Sequence, residues 1–174
     1  KNAKFSVNIE FSEENKFNSF GLDKVEFMII TNVGEEAKSL IKIASGGEMS
    51  RIMLAIKSVI ADIDEVPVLI FDEIDTGISG IAAKSVGEKL KSISKLHQVL
   101  CVTHLASIAA KGHYNYYISK SVLGNKTRTD VKLLTEEETI KEIARISSGE
   151  ITEIALQHAK ELRKVKKKKN ANFM

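Results

Sequence analysis

A chain of 174 residues, 43% hydrophobic and 28% charged, has enough apolar material for one globular domain with its own core. Its apolar runs fall far short of the about 20 residues that a membrane helix needs, and Lys1 to Ser6 lack the apolar stretch of a signal peptide. The single cysteine, Cys101, lies inside the apolar run Val99–Val102 and reads as a core thiol, which excludes internal disulfides and a cysteine-built zinc site and suits a reducing cytoplasm.

The formal charge of +3 conceals a division along the chain. Seven basic residues and one acid fall between Lys160 and Lys169, so the remainder is mildly acidic. A terminal lysine run of this kind is a solvated, frayed end or a contact for the phosphates of DNA.

In chain order, Phe5, Val7, Ile9 and Phe11 alternate with polar residues, and Val25, Phe27 and Ile29 repeat the alternation. Both read as strands with one buried face, paired antiparallel across a long connection. Residues 32–44 read as a loop. Ser45-Gly46-Gly47-Glu48 then precedes Ile52, Met53, Ile56, Val59 and Ile60, whose spacing predicts a helix over about 49–61. Its entrance has two readings. Ser45 with Glu48 three residues on makes a capping box, and paired glycines at a helix start leave backbone N–H groups open to an anion such as a phosphate.

Pro67 introduces Val68-Leu69-Ile70-Phe71, which reads as a strand buried on both faces, and Asp72, Glu73 and Asp75 follow directly. Carboxylates at the carboxyl end of such a strand can hold Mg²⁺ and position a water against a phosphate. They can equally be an acidic loop favoured by the next helix's N-terminus. Thr76 to Gly80 forms a glycine-rich turn into a helix carrying Ala82, Val86, Leu90 and Ile93, and Val99–Val102 is a second apolar strand ending in Thr103-His104. Strand, helix and strand make a βαβ unit with parallel strands, which brings His104 to the same sheet edge as Asp72 and Glu73.

A short helix over 105–111 and a hairpin of strands 114–121 and 127–134, turned at Gly124-Asn125, come next. Thr135 caps an acidic helix start at Glu136, Glu137 and Glu138, and Ile140, Ile143, Ala144 and Ile146 supply that helix's apolar stripe. A last helix, with Ile154, Ala155, Ala159 and Leu162, runs into the lysines. His113 and His158 suggest no partner.

The order Ser-Gly-Gly-Glu at a helix start, four apolar residues before Asp-Glu, and a strand ending in His resembles the heads of ABC-type ATPases. There the corresponding elements are the signature motif, the Walker B strand and the switch histidine. The spacing fits as well, with about two dozen residues from Gly47 to Asp72 and about thirty more to His104. Within that class, Ala-Ser-Gly-Gly-Glu-Met-Ser-Arg, Phe-Asp-Glu-Ile-Asp-Thr-Gly-Ile-Ser-Gly and Gln-Val-Leu-Cys-Val-Thr-His-Leu look like the RecN family of SMC-like bacterial DNA repair ATPases. Transporters and SMC proteins close the turn after Walker B with Leu-Asp, whereas Ser79 occupies that final position here.

The resemblance implies an α/β fold, the C-terminal lobe of an ABC/SMC-type ATPase head, with a parallel βαβ core, flanking antiparallel strands and C-terminal helices. Residues 1–163 would form that lobe and 164–174 a disordered Lys-rich tail. It implies ATP and Mg²⁺ as ligands, with Asp72 in the metal shell and Glu73 polarising the attacking water. His104 would face the γ-phosphate, and Ser45, Gly46, Gly47 and Glu48 the γ-phosphate held by an opposite head. Asp75 to Ser79 would line the contact between heads. No Gly-x-x-x-x-Gly-Lys-Ser/Thr occurs and no heptad run is sustained. In the family the phosphate loop lies in an N-terminal segment beyond a long coiled coil. The chain is therefore expected to be half of a head, with that N-terminal half, a second copy and DNA as partners, no membrane, and a place in the bacterial cytoplasm at the nucleoid. Alone it is expected to bind ATP weakly. Two other readings stay open: a non-catalytic lobe for dimerisation and DNA contact, and a Toprim-like metal-dependent phosphotransfer domain built on Asp72, Glu73 and Asp75.

Overall fold

The computed structural model describes residues 3–164 apart from 12–16, 18, 20, 31–33, 35, 43–44 and 124–125. At the amino end, β1 (Lys4–Glu10) and β2 (Lys24–Ile30) pair antiparallel, with Phe5 opposite Ile29, Val7 opposite Phe27 and Ile9 opposite Val25. The period of two puts all six on one face, where the rings of Phe5 and Phe27 lie 5.7 Å apart. That face is largely open: Phe5, Val7, Ile9, Val25 and Phe27 are all exposed. The segment read as a loop contains a two-residue strand, β3 (Lys38–Ser39), paired with β2, and a 3₁₀ turn at Leu40–Lys42. A strand so short leaves no periodic signal.

The centre is the predicted βαβ unit. β4 (Val68–Phe71) and β5 (Gln98–Cys101) pair in parallel, from Val68 beside Gln98 to Phe71 beside Cys101, with α2 (Gly80–Ile93) between them in the chain. α1 (Gly46–Ile60) and α3 (Ala106–Ala109) pack on the same pair, so that Leu54, Leu69, Phe71, Ile74, Leu90, Ile93 and Ile108 share one core.

β4 is not buried on both faces as its run of apolar residues suggests. Leu69 and Phe71 are buried, whereas Val68 is exposed and Ile70 is 71% exposed, as is much of Leu100 on β5. Each helix that packs on the pair contributes to the Leu69–Phe71 side. A parallel sheet ordinarily carries helices on both faces, and here one face has none among the described residues. α1 repeats the pattern, since Leu54 and Gly47 are buried while Met53, Ile56 and Val59 are exposed. In α2 Leu90 and Ile93 are buried as expected, while nearer its start Ala83 and Gly87 are the buried residues in place of Ala82 and Val86, of which Val86 still packs against the core.

Downstream, β6 (Tyr116–Leu123) and β7 (Lys126–Leu133) form the predicted antiparallel hairpin; its turn at Gly124-Asn125 lies outside the described residues, as do 165–174 of the lysine tail. α4 (Glu136–Ser148) and α5 (Glu153–Lys164) pack through Ile143 and the small residues Ala144, Ala155 and Ala159. A full capping box starts α4, with Thr135 Oγ1 accepting from the Glu138 N–H and Glu138 accepting from the Thr135 N–H. The hydrogen bond from Lys132 and the capping contacts hold the Glu138 carboxyl down to about 2. A carboxyl lowered in the folded state contributes stability above its ordinary range and loses it as the pH falls toward 2.

Arg163, the last residue assigned to the lobe, is buried although it stands in the basic run of residues 160–169. Its guanidinium donates to both Glu136 oxygens at 2.9 and 2.6 Å and to the Gly112 carbonyl at 3.0 Å, tying the end of α5 to the start of α4 and the loop after α3. His97 does similar work beneath the sheet: its ring nitrogens lie 2.7 Å from the Val66 carbonyl and 3.2 Å from that of Ala61, anchoring the segment between α1 and β4.

The two faces of β4 make a sharp contrast testable. In this chain, Phe71→Ala is expected to cost about 3–5 kcal/mol in urea denaturation through the cavity it leaves. Ile70→Thr, one residue away on the open face, is expected to change stability by no more than about 0.5 kcal/mol.

Candidate active site

The carboxyl ends of β4 and β5 form one edge, prolonged where the Val102 N–H donates to the Phe71 carbonyl at 3.0 Å. Here the chain after β4 must leave the sheet and enter α2. It does so by driving Ile74, with no exposed surface, into the core. That anchor sorts its neighbours. Asp72 and Glu73 stay on the outside, exposed, while Asp75 is only 3% exposed. The Asp72 carboxylate accepts from the Glu73 N–H at 2.8 Å, and the Glu73 carbonyl accepts from the Thr76 N–H at 3.0 Å, closing the turn.

Glu73 has φ 56°, the one non-glycine residue with positive φ among the described residues. Holding a side chain in this left-handed region costs about 1–3 kcal/mol and persists where surrounding contacts over-determine it, typically at functional sites. The surrounding contacts are visible. Ser50 donates to the Asp72 carbonyl at 2.7 Å, and Arg51 donates to the carbonyls of Ile74 at 3.2 Å and Thr76 at 2.8 Å. The first turns of α1 are thereby stitched to the carboxylate turn. Sequence reasoning passed over Ser50 and Arg51; an arginine just inside a helix that begins Ser-Gly-Gly-Glu, with an acid-rich turn downstream, was the available signal.

The helix starts at Gly46 rather than near Met49, with Ser45 as N-cap accepting from the Glu48 N–H at 3.5 Å. Gly46 and Gly47 lie against the turn. A side chain on Gly47 would meet the Glu73 carbonyl at 2.8 Å and the Thr76 Cβ at 3.0 Å, while one on Gly46 would meet only the Glu73 carboxylate. The two glycines thus let a helix N-terminus and the Walker B-like turn touch, and they bring the Glu73 carboxylate close to the positive end of α1.

Asp75 and His104 meet on the inner side. Asp75 Oδ2 accepts from Thr103 Oγ1 at 2.5 Å and from the His104 N–H at 2.8 Å, and His104 Nδ1 lies 3.1 Å away. Asp75, expected on a contact surface between heads, has its carboxylate turned inward. Ser79 caps α2 by backbone geometry only and is exposed. Burial, with the charges of Asp75 and Asp72, pushes the Cys101 thiol up to about 12, which leaves it an unreactive packing residue. The edge therefore offers two outward carboxylates, a histidine ring 71% exposed at its side chain and an adjoining helix N-terminus. Asp72, a hard oxygen donor at an open edge, fits the single-carboxylate share of a Mg²⁺ shell that phosphate oxygens and water complete.

Gly47→Ala is expected to lower stability by about 1–3 kcal/mol, because rigid backbone would have to move. Gly46→Ala should stay within about 1 kcal/mol of neutral, since the Glu73 side chain can rotate away while alanine favours the helix. Urea midpoints of the two variants check this, and equal losses would contradict the close approach at Gly47.

No family model matches the chain. It is 47% identical over 161 residues to the DNA repair protein RecN of Halalkalibacterium halodurans, covering 91% of this chain and 28% of that protein. To RecN of Bacillus subtilis it is 48% identical over 145 residues, covering 83% and 25%, and to RecN of Haemophilus influenzae 44% over 163 residues, covering 93% and 29%. Among solved structures, the Smc head domain with a coiled coil and joint from Pyrococcus yayanosii superposes with a TM-score of 0.55 at 23% identity, over 83% of this chain and 26% of that one. The fold is thus that of part of an SMC-type head. The chain spans between a quarter and three tenths of the length of the curated relatives it matches. Over more than four fifths of its own length it is RecN-like in sequence.

Proposed function

We propose that this chain supplies one part of the ATP site of an SMC-like DNA repair ATPase of bacteria, working in the cytoplasm on nucleoid DNA. The carrying observation is the edge itself: a parallel strand pair delivers Asp72, Glu73 and His104 together, with the Gly-rich start of α1 bonded to the same turn through Ser50 and Arg51. Residues 1–163 form this working part, and 164–174 a basic extension that adds phosphate contacts to DNA.

Each group has a distinct task. Asp72 would hold Mg²⁺, which draws off charge from the β- and γ-phosphate oxygens. Glu73, exposed and without a cationic partner among the described residues, is free to accept the proton of an attacking water. Its left-handed backbone accompanies a carboxylate that lies beside Gly46 at the start of α1. His104 faces the γ-phosphate from β5. The N-terminus of α1, Ser45 to Glu48, presents N–H groups to the γ-phosphate of a nucleotide seated on a second copy. Since α1 is bonded to the turn that bears Glu73, a phosphate arriving there is felt at the carboxylate of the same chain. The remaining donors, those for the α- and β-phosphates, come from a phosphate-loop segment elsewhere in the longer protein, which also covers the open face around Ile70. The inward Asp75 weighs against the alternative of a self-contained three-carboxylate phosphotransfer site, because it is 3% exposed and its Oδ2 is taken up by Thr103 and His104.

Three substitutions in the protein joined to its phosphate-loop segment test the assignment. Glu73→Gln should bind Mg²⁺-ATP and accumulate as a closed dimer while turnover falls by about 10²–10⁴-fold. Asp72→Asn should lose Mg²⁺-dependent binding and give little dimer. Ser45→Arg should bind ATP but neither dimerise nor turn over. Light scattering with ATP reads all three; a monomeric Gln variant beside a dimeric Arg variant would contradict the shared site.

A further inference from the structure

One acid of the edge has no task in that reading. Asp75 is 3% exposed, yet a carboxylate is costly to bury unless donors compensate it. Its compensation is specific: one oxygen, Oδ2, collects the Thr103 hydroxyl, the His104 backbone N–H and the His104 ring. We propose that Asp75 is a positioning residue for His104, fixing both the ring's orientation and which of its nitrogens carries hydrogen. This rests on the assignment of His104 as the group that faces the phosphate.

The chemistry follows from donor and acceptor inventory. A carboxylate only accepts, so the ring nitrogen lying 3.1 Å from it, Nδ1, is the one favoured to carry hydrogen. Neutral His104 is therefore expected as the Nδ1–H tautomer, opposite to the Nε2–H form that a free histidine side chain favours in water. Nε2 is then the nitrogen left toward the open edge, since the side chain is 71% exposed while its partner is buried. A doubly protonated ring would keep the same Nδ1 neighbour while its Nε2–H donates to a phosphate oxygen. A surface Asp–His pair would hold the ring only weakly. Burial of Asp75, anchored next to Ile74 and bonded to the Thr103 hydroxyl and the His104 N–H, gives the ring one fixed partner in one place. The bonds to Thr103 and to the His104 N–H hold the carboxylate in the fold, whereas its 3.1 Å contact with Nδ1 sets the ring.

That division supplies the test. Long-range ¹⁵N–¹H NMR of this chain, at a pH where the ring is neutral, should show His104 as Nδ1–H. Asp75→Ala should release it to Nε2–H, and Thr103→Val, which removes a structural bond but leaves the carboxylate, should keep Nδ1–H. In the protein joined to its phosphate-loop segment, Asp75→Ala should lower kcat by about 10–100-fold with KM little changed, and Thr103→Val should stay close to the parent. An Nε2–H ring in the unsubstituted chain overturns the proposal without any variant having to fold. So does an equal loss of kcat in both variants, which would make Asp75 structural only. If Asp75→Ala releases the ring without lowering kcat, Asp75 positions nothing that chemistry uses; His104→Ala with unchanged turnover would then trace the failure to the assignment of His104 itself.

Discussion

The arrangement of this molecule depends on a single buried side chain at the end of β4. Ile74 is fully enclosed by Leu54, Phe71, Leu90 and their neighbours, and it fixes the chain at the point where four residues carry three carboxylates. Hydrophobic burial of one isoleucine, worth about 1.5–3 kcal/mol, thereby decides which acids meet water and which meets a histidine. Without the anchor, Asp72, Glu73 and Asp75 would be a run of mutually repelling charges. With it, two face the open edge and one faces Thr103 and His104. The left-handed backbone at Glu73 is the geometric consequence of turning so sharply, and the bonds from Ser50 and Arg51 to carbonyls of the turn hold it there.

Much of this was legible in the residues. The parallel βαβ unit followed from two apolar runs flanking a helical pattern, and the antiparallel pair β1–β2 from strict alternation. The gathering of Asp72, Glu73 and His104 at one edge followed from the parallel order alone. Periodicity was less informative about what covers what. The four apolar residues of β4 describe a strand meant to be covered on both sides, and the described residues cover one. α1 likewise carries more apolar surface than it buries, so its expected stripe and its buried residues, Gly47 and Leu54, fell on different faces. A sequence states the demand for burial; only the fold shows whether this chain meets it.

The direction of a single carboxylate was out of reach for a different reason. Asp72, Glu73 and Asp75 are chemically alike and close in sequence, and nothing in their order says that the turn will send the third one inward. Arg163 is the same lesson with opposite charge. It stands in a basic run at the end of the lobe, and nothing in that run says that its side chain is buried against the Gly112 carbonyl while pairing with the exposed carboxylate of Glu136. Any truncation meant to probe the lysine run alone must therefore end after it.

The proposed ATP site is a shared one, with the water-activating and γ-phosphate-facing groups on this chain and the rest on another segment. Steady-state ATP turnover tests this directly, first with the purified chain alone and then with a separately produced phosphate-loop segment added. No turnover is expected from the chain alone, and activity that requires Glu73 is expected on addition. Robust turnover by the chain alone, unaffected by Glu73→Gln, would contradict the shared site.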